Sequence, residues 1–191
     1  MTGRDARHDS KPPPGHHPGH SVLQVPVPPL EAWVRRRTAF YDTDFVSSDP
    51  DFTHAHVTAL GPFVTALDAR TTATVAAIAG SVEPFDYTLG RLDTFPTGII
   101  HLVPEPPHGF ARLTALLQEA FPEFPPYGGE FAPTPHLTVD LAHGDVTQES
   151  TATLLADVVP VSARAEWLDL AWYEAGACRL VARWPLGTVA R

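Results

Sequence analysis

Apolar and polar residues follow regular patterns through most of the chain from residue 21 onward. Strict alternation predicts β-strands over 21–27 and 85–95, and 99–103 reads as a partner strand in an antiparallel hairpin with the second of these. Helical spacing of apolar residues predicts four helices, over 30–40, 66–82, 110–121 and 147–158, the last capped by Thr147 or Asp145.

Two more strands are predicted near the end of the chain, over 163–175 and 177–184, joined through Gly176. The order of elements is β-α-β-α-β-β and then α-β-α-β-β, with a proline-rich break at 104–107. This order indicates two similar units and an α+β fold with antiparallel pairing. Residues 1–20 are rich in Pro, Gly and His and are predicted to be a disordered tail, which leaves 21–191 as one domain.

Composition narrows the classes of function. The formal net charge of −9 argues against a protein that binds duplex nucleic acid over a broad surface, although a local pocket for one phosphate remains possible. Cys178 is the single cysteine, which fits a reducing compartment. No apolar run has the length of a membrane span, and the N-terminus lacks the hydrophobic segment of a secretory signal. We therefore expect a cytoplasmic protein with no membrane partner, and we expect a monomer.

Two short apolar runs each carry a histidine, one spacer and a threonine. The first holds His56 and Thr58, and the second holds His136 and Thr138. Because side chains alternate along a strand, each histidine shares a face with its threonine while the spacer points the other way. One such motif is expected by chance in a sequence with ten histidines. Two copies, both in strand-like runs, indicate a site with two proton-transfer groups and two hydroxyl donors.

Other polar residues near the motifs have more than one interpretation. His54 and His56 form a His-x-His pair that can chelate a metal, but no third ligand is evident, so we expect no metal or cofactor. By alternation Asp140 shares the face of His136, where it either orients a histidine or ends the strand in solvent, and we favour the second reading. The run Arg35–Arg37 is expected to be a solvated helix face rather than a phosphate site.

The remaining histidines and aromatic residues are mostly given structural roles. His101, His108 and His143 are expected at the surface. Phe63 and Tyr127 lie near the motifs in sequence and are the candidates for stacking on a nucleotide base. The other aromatic residues of the C-terminal half are expected in the core or in strand pairs; they are Trp167, Trp172, Tyr173 and Trp184.

The paired motifs resemble those of the 2H phosphoesterase superfamily, which includes the 2′-5′ RNA ligase-like proteins and RNA 2′,3′-cyclic phosphodiesterases. The resemblance rests on His56-Val57-Thr58-Ala59-Leu60-Gly61-Pro62-Phe63 and on Pro135-His136-Leu137-Thr138-Val139. It implies a bilobed α+β fold with two antiparallel sheets, outer helices and a central cleft that receives one motif from each lobe. It also implies a phosphodiester substrate, from a nucleotide or an RNA end, cleaved by His56 and His136 with Thr58 and Thr138 beside them.

Imidazole titrates near neutral pH, so one histidine can act as base and the other as acid on opposite sides of a phosphorus atom. The two threonine hydroxyls can donate to the non-bridging oxygens. Which histidine is the base stays open. Bacterial members of the family often have a basic residue shortly after the second motif, where this chain has Asp140. A nucleotide-binding protein that keeps the fold without turnover is therefore the alternative.

Overall fold

The computed structural model describes residues 19–126 and 133–187. These residues form an α+β arrangement of eight strands and four α-helices. The strands are β1 (His20–Pro26), β2 (His56–Leu60), β3 (Phe85–Thr94), β4 (Ile99–Glu105), β5 (Leu137–Leu141), β6 (Val161–Ala165), β7 (Trp167–Tyr173) and β8 (Arg179–Pro185). The helices are α1 (Glu31–Tyr41), α2 (Ala69–Ser81), α3 (His108–Ala120) and α4 (Gln148–Leu155), with 3-10 turns at Pro28–Leu30 and Thr43–Phe45.

The strands form two antiparallel sheets of four, which confirms the predicted fold class. The first sheet has the order β2-β1-β7-β8, and the second has the order β5-β4-β3-β6. The two units are the two sheets, but the predicted division between them at the proline-rich break is wrong, because the first sheet combines β1 and β2 with β7 and β8 from the other end of the chain. Pro104 lies inside β4, and β3 and β4 pair in the same sheet as β5 and β6, which follow the break.

The predicted strand over 163–175 is two strands. The chain leaves the second sheet at Ala165, where β6 pairs with β3, and enters the first sheet at Trp167, where β7 lies between β1 and β8. Only Glu166 separates them. Alternation of apolar residues reports that a segment is extended but not which partner it pairs with, so this exchange of sheets has no signature in the pattern.

Helix ends follow local capping chemistry. The side chain of Asp68 accepts a hydrogen bond from the backbone N–H of Thr71 at 2.6 Å and starts α2 three residues after the predicted beginning. Thr147 caps α4 in a reciprocal pair with Ser150, which selects Thr147 over Asp145 as the cap.

One continuous apolar core lies between the sheets and helices. Its fully buried side chains come from both sheets and from α3, and they include Leu23, Leu60, Leu102, Leu113 and Leu137. Helix α3 packs on β2. In the described part of the chain, no helix combines the length and the apolar character needed to cross a membrane.

The two motif strands occupy equivalent places. Each is the outermost described strand of its sheet, and each is reached from its neighbour through a helix, as β1–α1–β2 and as β4–α3–β5. Strands β2 and β5 also contact each other. The fold therefore brings two sequence-distant motifs to the same edge-to-edge junction.

Both motif strands contain a β-bulge directly after the threonine. In the first sheet Gln24 pairs with Thr58 and Leu23 with Leu60, so one residue of β2 has no cross-strand partner. In the second sheet the same shift leaves out Val139, which lies between Thr138 and Asp140. A bulge turns the following side chain away from the face that alternation predicts. This shift decides the fate of Asp140, described below.

Candidate functional site

The motif side chains face as alternation predicts. In β2 the spacer Val57 is buried, whereas His56 and Thr58 are half-buried. In the second motif Leu137 is buried and Thr138 is exposed, and His136 lies just before the first residue of β5. Each apolar spacer anchors its strand in the core and leaves the histidine and threonine on the opposite side.

The segments that carry the two motifs line one small recess. Thr58 lines a small pocket together with Thr134 and Pro135, which lead into His136. The imidazole of His136 is close enough to His56 to affect its protonation electrostatically. The structure thus brings His56, Thr58 and the segment of His136 together at the contact between β2 and β5.

Both motif imidazoles are held by the same backbone contact. Nδ1 of His56 lies 2.7 Å from the carbonyl oxygen of His54, and Nδ1 of His136 lies 2.8 Å from that of Thr134. A carbonyl oxygen only accepts, so Nδ1 carries the hydrogen in both rings. In the neutral rings Nε2 is then the basic nitrogen, on the side of the ring away from the carbonyl.

Burial disfavours the charged form of both rings. It lowers the pKa of His56 to about 4, and the neighbouring His136 adds to this effect. Burial also lowers the pKa of His136 below its ordinary value, with His101 contributing in the same direction. Near neutral pH both motif histidines are therefore predominantly neutral in the unliganded protein, and each has Nε2 in its basic form.

His54 supports His56 and has no ring nitrogen left for a metal. Its Nδ1 lies 2.5 Å from Oε1 of Glu31, and its Nε2 accepts the backbone N–H of Ser47 at 3.1 Å. The other oxygen of Glu31 accepts the N–H of Ala55 at 2.9 Å. These contacts fix the position of the His54 carbonyl, which accepts the hydrogen bond from Nδ1 of His56. Among the described residues, no group of three or more His, Cys, Asp or Glu side chains is placed to hold a metal.

Two residues in the first sheet that the sequence analysis did not assign to the site also support His56. The hydroxyl of Tyr173 donates to Oε1 of Gln24 at 2.7 Å and lies 3.2 Å from Nδ1 of His56. Gln24 in turn donates from Nε2 to the carbonyl of Thr53 at 3.1 Å. The His56 ring is therefore fixed from β1, from β7 and from the segment before β2.

The expectation that His101 lies at the surface is wrong. It is part of β4, only 2% exposed, and its ring stacks on Phe95 with centroids 3.9 Å apart. The ring of His136 contacts both of these rings edge-to-face. Its centroid lies 5.3 Å from that of His101 and 4.9 Å from that of Phe95. His101 is buried because β4 is an interior strand of the second sheet, between β3 and β5. His108 and His143 are exposed, as expected.

A row of polar side chains crosses each sheet at the level of the motif threonine. Residues paired across antiparallel strands share a face, so each row lies on the face of its threonine. The rows are Thr58, Gln24, Asp169 and Arg183 in the first sheet, and Thr138, His101 and Asp93 in the second. Arg183 holds the buried carboxylate of Asp169 with two hydrogen bonds of 2.7 Å. The signal in the sequence was a single polar residue inside an apolar strand, at Gln24, His101 and Asp169.

Asp140 neither ends its strand in solvent nor orients a motif histidine. It is 2% exposed and accepts hydrogen bonds from Arg37 at 2.6 Å, from Thr151 at 2.9 Å and from Tyr41. Burial alone would raise the pKa of Asp140, but these hydrogen bonds outweigh burial and lower it. The bulge at Val139 explains the error, because it turns Asp140 away from His136. Arg35 and Arg36 are exposed as expected, whereas Arg37 is bound to Asp140.

The two aromatic candidates for base stacking have different outcomes. Phe63 is 4% exposed and packs edge-to-face between Phe121 and Phe124, so its ring has no open face for a base. Tyr127 lies outside the described residues. Phe95, half-buried beside His101 and His136, is the described aromatic residue in contact with the second motif.

The fold of this chain is similar to that of several proteins with solved structures. E. coli LigT complexed with 3′-AMP has 18% sequence identity and a TM-score of 0.56, over 89% of this chain and 99% of that one. The crystal structure of a phosphoesterase has 17% identity and a TM-score of 0.52, over 89% of this chain and 99% of that one. No curated protein sequence matches the chain. At such identities the structural likeness establishes the fold alone.

The family model of the 2′-5′ RNA ligase superfamily matches residues 26–177, from the end of β1 to the turn before β8. The matched range includes both histidine-threonine motifs. Membership in this superfamily supports a phosphodiesterase-type function. With both motifs at one junction of two antiparallel sheets, the chain belongs to the 2′-5′ RNA ligase superfamily.

Proposed function

We propose that the protein is a metal-independent phosphodiesterase that acts on 2′,3′-cyclic or 2′-5′ phosphodiesters of RNA ends or small nucleotides. The observation that carries the proposal is the matched support of His56 and His136. Each ring donates from Nδ1 to the carbonyl two residues earlier, in motifs that meet at one junction. This arrangement presents two Nε2 atoms for proton transfer.

The reaction needs proton transfer on two sides of the phosphorus atom. One neutral imidazole takes a proton from water, which attacks phosphorus, while one charged imidazole gives a proton to the departing ribose oxygen. The hydroxyls of Thr58 and Thr138 donate to the non-bridging oxygens as charge develops on them. The two histidines and two threonines thus supply acid, base and charge stabilisation without a metal ion.

The difference in environment favours His56 as the base in hydrolysis. Burial and the neighbouring His136 lower its pKa to about 4, so it enters the reaction neutral. His136 is the acid. The negative charge of a bound phosphodiester favours the charged form of a nearby imidazole, so His136 takes up a proton from solvent when the substrate binds and then donates it to the departing ribose oxygen. In the ligation direction the two roles exchange.

The nucleotide character of the substrate rests on the related structures and on charge. LigT has been crystallised with 3′-AMP and with ATP. The formal net charge of −9 favours a substrate that meets the protein through one phosphodiester and one base rather than along a nucleic-acid backbone. A small nucleotide or an RNA end satisfies this condition.

A panel of 2′,3′-cyclic nucleotides and 2′-5′ dinucleotides, incubated with the protein and EDTA, tests the proposal. Product formed in EDTA supports a metal-independent phosphodiesterase. Binding of a nucleotide without any product supports the alternative of a nucleotide-binding protein that keeps the fold. Activity that disappears in EDTA and returns with zinc contradicts the metal-independent mechanism.

A further inference from the structure

The buried ring of His101 makes two ring contacts and one polar contact. Its ring lies flat on Phe95, and its centroid is 5.3 Å from that of His136 at an interplanar angle of 70°. Its Nδ1 lies 3.3 Å from the carbonyl oxygen of Ile99, which is again the residue two positions earlier. In the sheet it pairs with Thr138 on β5 and with Asp93 on β3. A buried imidazole so placed is part of the surroundings of the second motif.

We propose that His101 is a positioning residue, which fixes the orientation of the His136 ring and sets its charge state through their ring contact. Orientation follows from packing, because the edge-to-face contacts from His101 and Phe95 limit rotation of the His136 ring. Charge follows from proximity, because a proton on one imidazole disfavours a proton on the other at this distance. The charge state of the His136 ring therefore depends on the ring of His101.

Several charged or titratable groups act on this pair. Asp93 faces His101 from β3, and its carboxylate is bound by Arg91 at 3.1 Å. The hydrogen bond from the backbone N–H of Thr94 lowers the pKa of Asp93, and the proximity of His101 contributes in the same direction. His56 faces His136 from β2. His101 in turn contributes to the lowered pKa of His136, in addition to the larger effect of burial. His101 is thus the ring that links Asp93 to the second motif.

The first sheet provides the natural comparison for His101. There Gln24 pairs with Thr58 as His101 pairs with Thr138, and Gln24 is equally buried. Gln24 is polar but does not titrate. The two motifs therefore differ at this equivalent position. The second motif has a titratable neighbour, whereas the first has an amide. This asymmetry suits a site in which one histidine is base and the other is acid.

NMR titration of the histidine rings in the full-length protein tests the inference without a substrate. In the unmutated protein, the ring signals of His136 give its reference pKa. In His101→Phe, which keeps an aromatic ring on Phe95, the pKa of His136 should rise by about one unit. In His101→Gln, which copies the residue of the first sheet, it should rise similarly.

An unchanged pKa of His136 in both variants would overturn the inference. So would a change in His101→Gln that His101→Phe does not show, since this would leave only a packing role. If one variant does not fold, the titration of the unmutated protein and of the other variant still decides the question.

The kinetic consequence rests on the proposed function. If the protein hydrolyses a phosphodiester, the inflection in the pH profile of kcat that reports the acid should move upward in both variants, with little change in KM. Absence of turnover in the unmutated protein would contradict the proposed function and leave the NMR result to judge His101. Turnover with an unmoved inflection would count against His101 alone.

Discussion

The guanidinium of Arg37 lies 2.6 Å from the carboxylate of Asp140 and ties helix α1 to strand β5. Helix α1 connects β1 to β2, so this ion pair joins the segments that carry the two motifs. The Asp140 side chain is inaccessible to solvent, and Thr151 and Tyr41 also donate to it. We infer that the pair fixes the position of β5 relative to the segment β1–α1–β2.

Replacing Arg37 with methionine should destabilise the protein. The change leaves the carboxylate of Asp140 buried without its cation, and breaking a buried pair in this way costs about 3 kcal/mol. Urea unfolding measures the difference. Arg36→Met is the matched control on the same helix, because Arg36 is exposed, and it should change stability by less than about 0.5 kcal/mol. Equal stability of the two variants would show that the pair contributes little.

The contribution of Asp140 should depend on pH. Its pKa in the folded protein lies below the ordinary carboxyl value of 3.8, so the stabilisation is present above that value and is lost as the pH falls through the folded pKa. The gap in unfolding free energy between the unmutated protein and Asp140→Asn should be largest near neutral pH and should shrink below about pH 4. A gap that stays constant into acid would contradict this assignment.

Removing either motif hydroxyl should slow catalysis while leaving the fold intact. For Thr58→Val and Thr138→Val we expect kcat to fall about 10²–10³-fold, because a donor to developing charge is lost, and valine keeps the strand shape. Steady-state kinetics on a hydrolysed cyclic nucleotide measure the effect. Thr88→Val serves as the control, since Thr88 lies on β3 and its hydroxyl is near Ser162 at 3.4 Å in an exposed position. Comparable losses in all three variants would argue for a general effect on the sheets.

Tyr173→Phe should weaken the support of His56. The hydroxyl of Tyr173 contacts both Gln24 and Nδ1 of His56, and loss of one such contact is worth about tenfold in kcat. Tyr87→Phe is the control, because the buried Tyr87 hydroxyl has no hydrogen-bond partner among the described residues. That variant should keep full activity and equal or greater stability. Unchanged kcat in Tyr173→Phe would remove Tyr173 from the site.

Most of the local structure could be predicted from the sequence, because the signals for it come from neighbouring residues. Alternation placed β1 and β3 within one residue of their observed bounds, and the Thr147 cap located the start of α4. The side chains of His56 and Thr58 share a face for the same reason. These features depend on neighbours within a few residues, which the sequence displays directly.

What could not be predicted depends on pairing between distant strands. The exchange of sheets at Glu166 and the bulge at Val139 are set by which strand lies alongside, and no local pattern encodes that partner. The bulge buried Asp140 against Arg37, and the pairing of β4 with β5 placed His101 beside His136. A polar residue inside an apolar strand showed that Gln24 and His101 were unusual, but not what they contact.

The central claim is that His56 and His136 act as base and acid of one reaction, and the kcat values of His56→Ala, His136→Ala and the double variant test it most directly. Each single change should reduce kcat far more than it raises KM, because proton transfer matters in the transition state. The double variant should be scarcely slower than the slower single variant, since the two groups act as a unit. Near-native kcat in His56→Ala, on every cyclic and 2′-5′ substrate that the unmutated protein hydrolyses, would contradict the two-histidine mechanism.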